Sequence, residues 1–366
     1  MDRSLWVKHF CIQFHPNFDV CMRRKLLLLL VITCYCSVCY SQVVRGTVFD
    51  KSTAEVIPFA SIYISGTTLG TTSNENGYFE LNLPRNLSNP LTVSSVGFYS
   101  VTLTNFLTNE NISVNLEPKT YNLLDINVSG DERRNIRKRY FPIFRMEFLG
   151  KNLNPKRCRI LNEGDILLQY DRNEKILKAF AKRPVQIQNE RLGYHISYFL
   201  DRFEFNMEKH SLIFTGNYIF TPITASDSKQ QEEFEKSRGS AYLGSRMHLF
   251  RSLWDGSFDA SGFIIQDSTG HILPVNKLVI RTKPSISGVP QKFLIKQGPF
   301  EVSYKEDLRK TMMYLQNDFV PFDSSGYFDP MGIVWDGYMG YKRISDLLPF
   351  EYIPDANTLK KGKESH

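Results

Sequence analysis

The amino-acid sequence predicts a mainly β protein with a few helices. Three observations carry this. From Val43 to Glu117, β-branched residues alternate with polar ones in short runs separated by polar turns. From Cys158 to Phe220 strand patterns return with a dense set of aromatic residues. Apolar residues at helical spacing are concentrated in two stretches, Asp131 to Leu149 and Gln230 to Trp254. The 366 residues are 42% hydrophobic and 23% charged, with one long apolar run. Those values exclude wholesale disorder, a collagen-like chain and a polytopic helical membrane protein. At roughly 100–200 residues per domain, the length predicts two domains.

The first segment reads as an export signal. Arg23, Arg24 and Lys25 precede the run Leu26 to Cys34, and small residues follow up to Ser41. Cleavage after Ser41 makes Gln42 the new N-terminus. The run from Leu26 to Tyr40 is shorter than the ~20 residues of a spanning helix, so an uncleaved anchor is the second reading. Met22 is the more natural start, because Asp2, His9, His15 and Asp19 are foreign to a signal. Residues 1–41 carry five cations and two acids, so removing them takes the formal charge from +7 to +4. That mild excess does not suggest a nucleic-acid partner. Five of the six cysteines leave with the segment, and the remaining Cys158 has no partner for an internal disulfide.

The next 75 residues predict a sandwich. Val44, Gly46 and Val48 open one strand, and Ile62 to Ile64 form another. Turns are expected at Asp50–Ser52, Ser65-Gly66, Asn74–Gly77, Asn86–Pro90 and Thr108–Asn111. Asn76-Gly77 reads as a tight hairpin turn. The oxygen-rich turn Ser73–Gly77 has one carboxylate, Glu75, and reads as turn chemistry in preference to a calcium loop. The matches Gly46, Val48, Asp50, Pro58, Ala60, Ile62, Gly66, Thr67, Gly70, Thr71, Gly77 and Phe79 resemble the carboxypeptidase-regulatory-like domain, as does Val96-Gly97-Phe98. The resemblance implies a seven-stranded transthyretin-like (Ig-like) β-sandwich from the envelope of Gram-negative bacteria, without catalytic residues. In that family Leu123 to Val128 resembles the short strand that follows the domain.

A larger β-rich α+β domain is expected over 131–355. Its first helix, Asp131 to Leu149, is expected to kink or split at Pro142. Arg133, Arg134, Arg137, Lys138, Arg139 and Arg145 load one side. That side is either a solvated face or a contact with an anionic membrane surface. The aromatic set Tyr194, Tyr198, Phe199, Phe203, Phe205, Phe214, Tyr218 and Phe220 reads as core or, if exposed on one face, as a sugar-stacking platform. Gln230 to Trp254 reads as one helix, with Leu243, Met247, Phe250 and Trp254 on its apolar side. A short helix is expected near Tyr338 to Leu348, and residues 356–366 as a disordered tail. The full organisation expected is a signal at 1–41, a sandwich at 42–118, a linker at 119–130, the larger domain and the tail. Phe148–Gly150, Cys158–Asn162, Asn189–Tyr194, Tyr242–Arg251 and Asp346–Tyr352 resemble recurring runs of an uncharacterised family of envelope proteins.

Chemistry is sparse. His-x-x-Glu, His-Glu-x-x-His, Gly-x-Ser-x-Gly, a phosphate-binding loop and a dinucleotide fingerprint are all missing. No cofactor and no metal ligand set is therefore expected. Arg238, Tyr242, His248 and Arg251 form the best polar constellation, expected on one helix. Together they either bind an anionic group or form a structural network. Asp267-Ser268-Thr269 resembles a short O-glycosylation pattern of bacterial envelope proteins. The expected function is an exported periplasmic or outer-membrane-associated protein that binds or scaffolds a glycan, a peptide or an envelope protein. The alternative is a hydrolase of glycan or peptidoglycan acting through the larger domain.

Overall fold

Alternation of small and branched apolar residues starts the first sheet. In β1 (Ser41–Asp50) the side chains of Val44 and Val48 point into the core and Arg45 points out. The computed structural model describes residues 41–84, 89–104, 106–108, 111–119, 130–150, 157–257, 259–281, 290–305 and 310–363. Residues 1–40 of the expected export segment, with Met22 and the N-terminal cysteines, and Leu123 to Val128 lie outside the described residues. Residues 43–366 cluster as one compact unit.

The first seven strands make two sheets. β2 (Ser61–Ile64), β3 (Gly70–Thr72), β4 (Tyr78–Pro84), β5 (Leu91–Ser94), β6 (Val101–Leu103) and β7 (Asn111–Leu116) follow β1. One sheet has the order β4-β1-β7 and the other β3-β2-β5-β6. β1 and β7 run parallel, with Gly46 opposite Ile112. Val44, Val48, Ile62, Ile64, Phe79 and Val93 fill the space between the sheets. Gly46 has a steric reason: a Cβ there would sit 2.3 Å from the Ile112 carbonyl and 2.7 Å from the Phe79 ring. The sandwich is thus the seven-stranded one expected. Asn76-Gly77 differs. Gly77 has φ +70°, but β3 and β4 belong to different sheets, so this turn is a crossover and no hairpin. Asn74 Oδ1 shapes it by accepting the amides of Asn76 and Tyr78 at 2.9 and 3.0 Å.

A long helix and a six-stranded sheet form the second core. α1 (Gly130–Leu149) is one helix that runs through Pro142, with no split. A proline removes one helical hydrogen bond, and here a continuous aromatic face offsets that loss. Tyr140, Phe141, Phe144 and Phe148 are buried. Phe144 stacks on Phe148 at 5.2 Å and meets Phe203 edge-on at 4.8 Å. The sheet comprises β8 (Cys158–Ile160), β9 (Ile166–Asp171), β10 (Ile176–Ala181), β11 (Val185–Asn189), β12 (Tyr194–Asn206) and β13 (Ser211–Pro222). Its order is β8-β11-β12-β10-β9, with β13 on β12. A bulge between Leu200 and Arg202 shifts the register of β12. The extra residue, Asp201, reverses the inward parity. Tyr194, Ile196, Tyr198 and Leu200 therefore face the core before it, and Phe203 and Phe205 after it. The aromatic stripe is largely core.

Two helices then lead into the third core. α2 (Ser228–Tyr242) is capped by Asp227, whose carboxylate accepts the Gln230 amide at 2.8 Å. α3 (Arg246–Asp255) is capped by Ser245, whose hydroxyl accepts the His248 amide at 3.1 Å. The expected single helix is therefore two. Gly244, at φ +67°, ends the first, and Ser245 starts the second. β14 (Phe263–Gln266), α4 (Val275–Leu278), β15 (Val279–Arg281), β16 (Lys292–Ile295), β17 (Phe300–Tyr304), β18 (Thr311–Leu315), β19 (Phe319–Phe322) and β20 (Ile333–Gly337) follow. They form the sheets β14-β17-β18-β20 and β15-β16-β19. Leu249, Phe250 and Leu253 of α3 pack against both. α5 (Tyr338–Tyr341) and a 3-10 turn at Ile344–Asp346 replace the longer helix expected there. α6 (Ala356–Lys363) occupies most of the tail expected to be disordered. Asp355 caps it by accepting the Thr358 amide at 2.5 Å, and Thr358 lies against Gly239 of α2. Among the described residues no helix is long and apolar enough to cross a membrane.

Candidate functional site

The four residues of the sequence-derived constellation lie on two helices and point at protein. Arg238 on α2 donates to the carbonyls of Leu192 at 2.8 Å and Gly193 at 3.5 Å, and to Glu235 at 2.7 Å. Its guanidinium also lies 4.4 Å from the Tyr194 ring. Arg251 on α3 donates to the carbonyls of Ser325 and Tyr352, both at 2.8 Å, and Phe350 at 3.0 Å. The Tyr242 ring lies 5.5 Å from the Arg251 guanidinium. Burial raises its phenol above the usual range, and Arg251 pulls the other way. His248 is 5% exposed, ringed by Tyr242, Phe263 and Tyr304 at 4.7, 4.9 and 5.5 Å. Its Nδ1 accepts the Gly244 amide at 3.2 Å, so the imidazole reads the turn between the helices. Burial pushes its pKa down to about 3, reinforced by Lys342, Arg251 and Lys305. Tyr242, His248 and Arg251 come together, Arg238 sits one helical turn before Tyr242, and the donors of both arginines go to protein groups.

The segment 343–352 is where distant parts of the chain meet. Asn189 donates to the Ser345 carbonyl at 2.9 Å, and Arg191 pairs with Asp346 at 2.5 Å. Gly150 approaches Ser345, and Arg251 holds Phe350 and Tyr352. Besides Asp346–Tyr352 itself, three of the runs singled out in the sequence thus meet this segment, and Cys158 of the remaining one pairs with Asn189.

The sandwich joins the rest through the turn between β2 and β3. The Gly66 amide donates to the Tyr218 carbonyl at 2.8 Å, and the Thr67 carbonyl accepts the Phe220 amide at 2.9 Å. The Phe350 amide donates to the Gly66 carbonyl at 2.9 Å. Tyr63 stacks on Phe199 at 5.0 Å. Beside this joint lies a shallow cleft, open to solvent. Val96, Phe98 and Lys119 line it from the sandwich, and Lys182, Arg183 and Phe199 from the sheet. Arg183 is held by Asp165 through two bonds of 3.0 Å. Asp201 follows the lining residue Leu200, with a carboxyl raised by desolvation and lowered by Lys119. The sequence offered no sign of this cleft, because it arises from elements far apart in the chain.

Among the described residues, no three His, Cys, Asp or Glu side chains converge to hold a metal ion. Asp267 Oδ1 accepts the amide and hydroxyl of Thr269 at 2.8 and 2.6 Å, which makes Asp267–His271 a closed turn.

No curated protein matches the chain. Among solved structures, a 9R-lipoxygenase from Cyanothece PCC8801 is similar at 9% identity over 58% of this chain, with a TM-score of 0.19. This chain spans about half, 48%, of that lipoxygenase. A protein of unknown function from Bacteroides fragilis NCTC 9343, described as membrane-associated, is similar at 10% identity. The match covers 81% of this chain and 95% of that one, with a TM-score of 0.17. Residues 44–128 match the family model of the CarboxypepD_reg-like domain, and the β-sandwich is a domain of that family.

Proposed function

We propose that this is an exported cell-envelope protein that binds a glycan, a peptide or another envelope protein. The binding place in this reading is the cleft between the sandwich and the six-stranded sheet. The observation that carries it is the joint itself. The turn Ser65–Leu69 is fixed to β13 and to Phe350, so the sandwich acts as one wall of a site and not as a mobile appendage. Ligand sites favour such junctions, with an apolar lining and a few polar groups. Here Phe98 and Phe199 supply the first, and Lys119 and Lys182 the second. The regulatory-like sandwich supplies structure and no catalytic group.

Two measurements test this. N-terminal mass spectrometry of protein from envelope fractions is expected to find Gln42 first; full-length chain confined to the cytoplasm would refute export. Defined envelope glycans and peptides are then titrated against the wild type and a Lys119→Glu, Lys182→Glu double variant. Binding that weakens at least tenfold in the variant supports the cleft, and binding that is unchanged removes it.

A further inference from the structure

The chemistry of the cleft selects among the ligands proposed for it. Three cations, Lys119, Lys182 and Arg183, line it, and among the described residues no acid does. They are not equally engaged. Asp165 holds Arg183 through both of its oxygens, and one of these also accepts the Asn162 side-chain amide at 2.8 Å. Lys182, beside that pair, is exposed, and its ammonium has no hydrogen-bond or ion-pair partner among the described residues. Lys119 is half-buried, with its ammonium 5.7 Å from the Tyr99 ring. Asp201 attracts Lys119 through space without forming an ion pair. The lining is therefore electropositive, and an anion suits it.

A chain of hydroxyls adds a neutral donor. Ser94 donates its proton to Ser100 at 2.7 Å, so the Tyr63 phenol, 3.2 Å from Ser94, donates to Ser94. Tyr63 and Ser94 are each 1% exposed, and Ser100 lines the cleft. Ser100 accepts at the end of this chain, and among the described residues nothing takes its own proton. An acceptor oxygen in the cleft would take it.

The occupant is a side chain in preference to a sugar ring. The cleft is shallow, and both of its aromatic rings already touch protein. Phe199 stacks on Tyr63 at 5.0 Å, and Phe98 packs on the sandwich core. Apolar surface lies instead at the rim. Val96, a lining residue, is 61% exposed, and Tyr99, between the lining residues Phe98 and Ser100, is 48% exposed. We propose, on the reading that this cleft is the binding place, that it receives an Asp or Glu carboxylate from a peptide segment of a partner protein. Lys119, Lys182 and the Ser100 hydroxyl meet the carboxylate, and Val96 and Tyr99 meet the apolar side chains that flank it.

The test lays the whole chain, detected through a C-terminal tag, on an array of capped random heptapeptides. The strongest binders are resynthesised and titrated by calorimetry, each beside its Glu→Gln or Asp→Asn counterpart. The expected binders are enriched in Asp or Glu next to apolar residues. Amidation of the acid weakens them about tenfold, and so does the Lys119→Gln, Lys182→Gln double variant. Lys236→Gln, at an exposed position of α2, leaves them unchanged. Binders without acidic enrichment, or equal affinity of the amidated peptides, overturn the proposal. An array with no binders overturns it too. If oligogalacturonate then binds the wild type and is lost from the Lys119→Glu, Lys182→Glu variant, the cleft stands as a glycan site and only the peptide assignment falls. Acidic peptides that bind this variant as tightly as the wild type remove the cleft itself.

Discussion

Glu351 Oε1 accepts both the backbone amide of Thr68 at 2.7 Å and its hydroxyl at 2.8 Å, across 283 residues of chain. This carboxylate, on the segment held by Arg251, grips the turn that carries the sandwich. Hydrogen bonds to a charged group contribute about 1.5–3 kcal/mol. Glu351→Ala is expected to destabilise the protein by about that much and to loosen the sandwich first. Thr68→Val keeps the amide bond and is expected to cost about half. Urea denaturation gives the energies. Limited proteolysis that releases residues 43–118 no faster than in the wild type would contradict the joint.

Gly66 is the tightest point of the same turn. It has φ +78°, and a Cβ there would lie 2.6 Å from the Phe350 ring. Gly66→Ala meets two penalties, a left-handed backbone at roughly 1 kcal/mol and a ring that must move. An expected loss of about 2–4 kcal/mol follows. Phe350→Leu in the same chain is expected to recover part of the loss, since it relieves the clash and leaves the backbone cost. Strictly additive losses in a double-mutant cycle would show that the ring is not the obstacle.

Much of this fold was legible because local chemistry and tertiary structure agree. Val44 and Val48 alternate in a strand that has two faces, and Gly46 and Gly66 occupy places where a side chain does not fit. The failures fall where a distant contact overrules a local preference. Pro142 predicts a break, but Phe141, Phe144 and Phe148 hold the helix on the sheet. Leu243 to Trp254 keeps helical spacing across a real interruption, and only Gly244 and Ser245 betray it. Asp355 and Thr358 give the tail a cap that polarity alone conceals. At the candidate site the sequence found Arg251 and His248 but not their partners. Those partners are the backbone carbonyls of Ser325, Phe350 and Tyr352 and the Gly244 amide, which carry no sequence signature.

Cys158 is expected to be chemically inert in the folded protein. It is buried at the edge of the second core, opposite Asn189. Burial pushes its thiol up to about 12, with Arg191 pulling down and Asp346 pushing up. Almost no thiolate exists at pH 8, and the thiolate is the reactive form. Iodoacetamide at pH 8 should leave the native protein unmodified and add one label to residues 43–366 in urea. Rapid labelling of native protein, read by intact mass, would mean that this edge of the core opens.

His248 makes stability depend on pH in a defined direction. In the unfolded chain its pKa is near 6.5; in the folded protein it lies at about 3. The folded state therefore binds the proton less readily. Its contribution is fully present above about pH 6.5 and is lost as pH falls towards 3. Within that window the unfolded chain gains a proton that the native one refuses, at about 1.4 kcal/mol per pH unit. Carboxylates such as Asp165, held low first by its bonds from Arg183, titrate in part of the same range. The His248 share is isolated by difference. His248→Gln retains an acceptor for the Gly244 amide but has nothing to protonate. It is expected to be less stable than the wild type at pH 7, because Gln fits the aromatic cage of Tyr242, Phe263 and Tyr304 poorly. Its stability should then fall less steeply between pH 6 and 4, so that the gap closes or reverses. Parallel curves for the two proteins, from urea melts at each pH, would show that the imidazole is not held neutral by the fold.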